Sequence, residues 1–163
     1  MPADSGLALA TAIVHECTAR GWTLATGESV TAGLVSAAIA DVPGASAVLA
    51  GGVVAYDARI KGEVLGVPSH EIAAGLVTQG VAVGLARGAR GVLGTTLGIG
   101  VTGVAGPDSH GGEPVGSVWA AVCGPERELA RHVQLAGDRA AIRAGAVQAC
   151  LELVAEYLGL TAR

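Results

Sequence analysis

The chain is expected to fold as an α/β protein, a three-layer α/β/α sandwich with a mixed, mostly parallel central sheet. Three observations predict this. Helix-spaced and strand-like segments alternate along the chain, and a hairpin pattern and a long helix follow. Aromatic residues make up only 2% and Phe is missing, so Val, Leu, Ile and Ala must build the core, as in sheets buried on both faces. The 26 glycines are scattered among apolar runs, where they mark turns and close approaches.

Taken in order, the apolar spacing of Leu7, Ala10, Ile13, Val14 and Cys17 predicts a helix from Leu7 to Arg20, stopped by Gly21. Thr23 to Ala25 is a strand, Gly27 to Gly33 a tight turn, and Leu34 to about Ala40 a second helix. Asp41 to Gly44 is a break. Val48 to Tyr56 reads as a buried strand, with Gly51 and Gly52 marking a bulge or a close contact. A short helix begins at Asp57. Thr78 to Leu93 is helical, and its small-residue spacing (Gly84, Gly88, Gly91) suggests tight packing or an interface between copies. Thr96–Thr102 and Val115–Val122 are strands. Leu129–Leu135 pairs with the latter as a hairpin, and Asp138 caps a final helix to Leu158. The expected order is α β α β α α β β β α. No repeat or linker is visible, and 163 residues suit a single domain over 1–163.

Several function classes lose support at once. The formal net charge is −4 and no Lys/Arg cluster occurs, so no nucleic-acid partner is expected. Cys17, Cys123 and Cys150 lie far apart, as do His15, His70, His110 and His132, so neither set has metal-ligand spacing. No metal or other cofactor is expected. No signal-peptide pattern and no apolar run of about 18 residues appears, so no membrane association and a cytoplasmic location are expected.

The stretch TLATGESVTAG, Thr23 to Gly33, is the one most suggestive of chemistry. A Ser between a strand and a helix sits on a sharp bend, near helix N–H groups that favour an anion or a developing oxyanion. Ser29 is either a turn or cap residue or a nucleophile. It lacks the G-x-S-x-G spacing of a nucleophile elbow. A nucleophile also needs a base. His110 is the only histidine in a candidate loop. Lys61 is the only lysine of the chain, just after the Val48–Tyr56 strand. Beside an apolar pocket its charge would be disfavoured and it could accept a proton; the plain alternative is a solvated Lys. The Tyr56 hydroxyl could orient Lys61 or relay a proton. Thr102 to Pro107 stands where a strand meets a loop, the edge at which open α/β sheets bind ligands. Gly98 to Gly103 matches G-x-G-x-x-G but lies inside a strand with no helix directly after it, so it is discounted. Arg139 and Arg143, one helical turn apart, could clamp a phosphate or carboxylate.

Together these segments resemble the CinA C-terminal domain family, the nicotinamide-nucleotide amidohydrolases. The matching pieces are GESVTAG at 27–33, DVPGASAV at 41–48, GGVVAY at 51–56, Lys61 with LGVP at 65–68, TGVAGP at 102–107, PVGSVWAAV at 114–122 and GDRAAIR at 137–143. The resemblance implies hydrolysis of the carboxamide of nicotinamide mononucleotide to nicotinic acid mononucleotide and ammonia, at a metal-independent Ser-Lys site. It maps Ser29 and Ser46 to two motif serines, with Ser29 favoured as nucleophile for its turn, and Tyr56 and Lys61 to the family's Tyr…Lys pair. Thr31, Gly33, Thr102, Gly103, Gly106, Arg139 and Arg143 are the expected substrate contacts. The implied partner is a small nucleotide substrate, and a homo-oligomer is expected. Val30 and Ala32 stand where the family has Cys and Gly. Asp57-Ala58-Arg59-Ile60 replaces Ser-Asn-Glu-Ala, which keeps a nucleotide-binding module without turnover as the alternative. Larger family members carry an additional N-terminal domain, so the chain reads as the stand-alone form.

Overall fold

The computed structural model describes residues 3–160; the domain expected over 1–163 runs past them at both ends. In chain order the elements are α1 (Ala3–Arg20), β1 (Leu24–Glu28), α2 (Leu34–Ala40), a 3₁₀ turn at Ala45–Ala47, β2 (Leu49–Val54), α3 (Ala58–Glu63), α4 (Ser69–Ala74), α5 (Gln79–Leu93), β3 (Leu97–Gly103), β4 (Ser117–Cys123), β5 (Glu128–Gln134) and α6 (Arg139–Leu158). The sheet runs β2-β1-β3-β4-β5. β1 is parallel to both β2 and β3, and β4 and β5 continue the sheet as an antiparallel hairpin.

Side chains alternate across a strand, and this alternation builds the layers. Leu97, Ile99 and Val101 of β3 join α1, α2 and α6 in one aliphatic core. Gly98 and Gly100 face the other way, where a Cβ would collide with the carbonyls of Ala86 and Ala82 on α5. Gly27 of β1 likewise lies under the Leu85 carbonyl. The glycines of the discounted G-x-G-x-x-G stretch therefore let α5 press on the sheet. The result is the expected three-layer α/β/α arrangement. Because β2 and β3 flank β1 on opposite sides, right-handed crossovers send α2 and α5 to opposite faces.

Four details differ from the sequence reading. β1 extends through Gly27 and Glu28, because Gly27 serves helix contact and not a turn. β2 is half-exposed on alternate residues and not buried, since it is an edge strand. Three helices, not two, join β2 to β3: Gly75 (φ 145°) interrupts the run and Thr78 caps α5 by accepting from Val81 N–H at 3.2 Å. Finally, β2 ends at Val54, so Tyr56 stands beyond the strand, while Gly84 and Gly88 of α5 pack against Val67 and Leu65, the tight packing expected of them.

Candidate active site

The carboxyl ends of β1, β2 and β3 open on one pocket of about 370 Å³. Ser29 and Val30 follow β1, and Tyr56 and Lys61 follow β2. Thr102 to His110 follow β3, and Arg139 comes from the start of α6. A larger groove of about 710 Å³ lies beside α4 and α5, but no Ser, Cys, Lys or His lines it.

Lys61 is placed by α3. Asp57 caps that helix by accepting from Arg59 N–H at 2.7 Å, and one turn later Lys61 points inward, only 1% exposed. Its Nζ lies 2.9 Å from Ser29 Oγ, 2.7 Å from the Ala55 carbonyl and 3.2 Å from the Tyr56 carbonyl. Burial lowers its pKa from the usual lysine value, opposed in part by the Asp57 charge. A neutral amine has two protons and one lone pair. With the amine neutral, the two fixed carbonyls would take its protons and leave the lone pair for Ser29 Oγ.

Ser29 is 9% exposed, and its N–H donates to the Val101 carbonyl at 3.0 Å. The turn after it is held from inside by Glu28, which is 1% exposed. One Glu28 oxygen accepts from Thr31 Oγ1, Gly33 N–H and Val35 N–H; the other accepts from Thr26 Oγ1, Ser36 N–H and Ser36 Oγ. Arg143 holds the turn from outside, donating to the Val30 and Thr31 carbonyls at 3.0 Å each. Ala32 sits in the left-handed region at φ 49°.

These bonds revise several expectations. The first turn of α2 is not open to an anion, because Glu28 already occupies it. Val30, next to Ser29, lines the pocket, and its N–H takes no partner among the described residues. Thr31 and Gly33 serve Glu28 and do not line the pocket, and Arg143 is spent on backbone carbonyls. Tyr56 assists Lys61 through its main-chain carbonyl. Its hydroxyl instead accepts from Arg139 at 2.7 Å, and the ring is 56% exposed. Arg139 also donates to the Gly106 carbonyl at 2.8 Å, bridging the mouth. Thr102 lines the pocket but donates its hydroxyl to the Leu76 carbonyl at 2.7 Å. Gly103 and Gly106 line the wall as expected. Ser46 is exposed in the 3₁₀ turn before β2, at the amino end of the sheet, and so stands apart from the site. Sequence reasoning gave Glu28 no role. The signal was an acidic residue closing an otherwise apolar, buried strand.

No cluster of metal-ligating side chains occurs among the described residues. All three cysteines are buried and free. Burial pushes the Cys17 thiol up to about 11 and the Cys123 thiol to about 12, so neither is a ready nucleophile. No described helix is long and apolar enough to cross a membrane.

The CinA C-terminal domain model matches residues 7–158. A CinA-like protein of Frankia casuarinae is 44% identical over 140 residues, covering 85% of this chain and 32% of the relative. A CinA-like protein of Anaeromyxobacter sp. is 46% identical over 144 residues, covering 87% of this chain and 35% of the relative. The chain thus spans about a third of the length of the curated relatives it matches. Among solved structures, the competence/damage inducible protein CihA of Agrobacterium tumefaciens superposes with a TM-score of 0.91 at 31% identity, covering 98% of each chain. A competence-damaged protein (CinA) superfamily protein of Klebsiella pneumoniae gives 0.90 at 28% identity, covering 96% of this chain and 99% of that one. A family match over nearly the whole chain, and an agreeing fold, lead to one conclusion: this chain belongs to the CinA C-terminal domain family.

Proposed function

We propose that this domain hydrolyses the carboxamide of nicotinamide mononucleotide, with Ser29 as nucleophile and Lys61 as its base. The observation that carries the reading is the 2.9 Å contact between Ser29 Oγ and a buried Lys61 amine whose pKa is lowered. Neutral Lys61 takes the Ser29 proton as Oγ bonds to the amide carbon. The Val30 N–H is the donor offered to the developing oxyanion, a role usually worth about 3–4 kcal/mol. The Lys61 ammonium returns its proton to the departing nitrogen, the C–N bond breaks and ammonia leaves. Water, deprotonated by Lys61, then attacks the Ser29 ester; the Lys61 ammonium returns that proton to the departing Ser29 Oγ and the acid is released. Arg139 at the mouth is the cation available to the substrate phosphate.

The 57–60 segment that departs from the family pattern supports this reading more than the binding-only alternative. Asp57 caps α3, and Arg59 pairs with Glu63 on the surface, so both leave the Lys61 contacts in place. The test is ammonia release from nicotinamide mononucleotide by the purified protein. Saturable binding without ammonia would establish the binding module instead. Turnover that survives Ser29→Ala would remove the assigned nucleophile.

A further inference from the structure

Glu28 takes no part in the proton transfers above, yet six hydrogen bonds converge on it a single residue from Ser29. Its donors lie on both sides of Ser29: Thr26 before it, and Thr31, Gly33, Val35 and Ser36 after it. They close a loop of chain with Ser29 inside. Ala32 holds a left-handed conformation within that loop, a backbone state that persists only where its surroundings impose it. Of the bonds that fix Ser29 itself, one is the Val101 contact of its N–H and another is the Lys61 contact of its Oγ.

We propose that Glu28 is a positioning residue, which acts through the turn to keep Ser29 Oγ within reach of Lys61 Nζ. The proposal rests on the Ser-Lys reading of the site. The chemistry of the donors makes a carboxylate specific. Backbone N–H groups meet both oxygens, Gly33 and Val35 on one and Ser36 on the other. A glutamine in either orientation would turn its own NH2 toward a backbone N–H. Glu28→Gln therefore keeps size and shape and still pushes one side of the turn away. Gly52 of β2 shows how closely the network is fitted, since a Cβ there would collide with both Thr26 Oγ1 and Ser36 Oγ.

The experiment follows covalent labelling of Ser29 by a fluorophosphonate, with Ser29→Ala as the control for site. The labelling rate constant is compared under conditions where circular dichroism shows each variant fully folded, so loss of stability alone leaves it unchanged. Glu28→Gln is expected to label about tenfold or more slowly, the scale of a small misplacement of a reacting atom. A folded Glu28→Gln that labels less than about threefold more slowly than the unaltered protein overturns the proposal. If Glu28→Gln fails to fold, Ser36→Ala and Thr31→Val decide under the same criterion, since each removes a single donor. Labelling of the unaltered protein at Ser29 without ammonia release would sink the proposed substrate and leave this test standing. No labelling at Ser29 would remove the Ser-Lys reading and this proposal with it.

Discussion

One wall of the pocket holds Ser29 and Lys61, almost closed to solvent and tied by several bonds each; the other holds Tyr56 and Arg139, exposed and joined by one side-chain bond. The inner wall is organised before any substrate arrives. Its atoms are fixed by Glu28, by two carbonyls and by the guanidinium of Arg143. The outer wall is held by Arg139 contacts that a phosphate can replace. The contrast separates two tasks. In the proposed reaction, proton transfer would need positions held in advance, whereas admission of a charged nucleotide would need groups that can exchange partners.

Substitutions on the inner wall are expected to sharpen this contrast most. Ser29→Ala should lower kcat by at least about 10⁴-fold, as removal of a nucleophile does elsewhere. Lys61→Met should lower it by about 10²–10⁴-fold, the usual worth of a general base. Lys61→Arg should fail to restore it, because a guanidinium keeps its proton. Steady-state ammonia release measures all three, and a Lys61→Met enzyme near full activity would break the comparison at its centre.

The pH profile comes next. With neutral Lys61 as the proposed base and its pKa below the usual 10.5, kcat/KM should rise with pH through that lowered value. The stability effect has a definite sign. Between the folded pKa and 10.5 the unfolded chain binds more protons at this site, so stability rises with pH across that window. Lys61→Met should flatten the rise in Tm over the same range. An unchanged slope would mean that the amine titrates like a solvated one.

The outer wall should respond more weakly and in a different parameter. Arg139→Ala is expected to raise KM by about tenfold with kcat nearly unchanged, as loss of one charged contact to bound substrate would. Tyr56→Phe should alter KM by about twofold or less, since its hydroxyl only receives an Arg139 bond. A large kcat loss in either variant would place chemistry at the mouth. The smallest expected effect is at Ala32, where φ is 49°. Ala32→Gly should raise stability by about 0.5–1 kcal/mol in denaturant unfolding, by relieving the left-handed strain on a Cβ.

Much of this arrangement was legible in the sequence, and the exceptions share a cause. Ser29 and Lys61 could be paired because each stands out by type: a serine in a glycine turn, and the only lysine among aliphatic strands. The layers followed from the alternation of elements. The edge position of β2 was not legible, because strand order depends on which neighbour each strand chooses and not on its own residues. Tyr56 misled because its useful atom is a carbonyl, which every residue has. Ser46 came from the family resemblance alone, and no feature of its own residues told that it sits in the 3₁₀ turn at the amino end of the sheet. Arg143 read as a phosphate clamp, since its real partners, the Val30 and Thr31 carbonyls, lie more than a hundred positions earlier.

Nine of the ten basic residues are arginines, so the lysine in the crevice carries the only side-chain amine in the chain. Reagents that acylate or alkylate primary amines find no lysine on the outer surface. A reagent small enough to enter would meet one side-chain target, so added mass on the peptide that carries Lys61 would report access to the pocket.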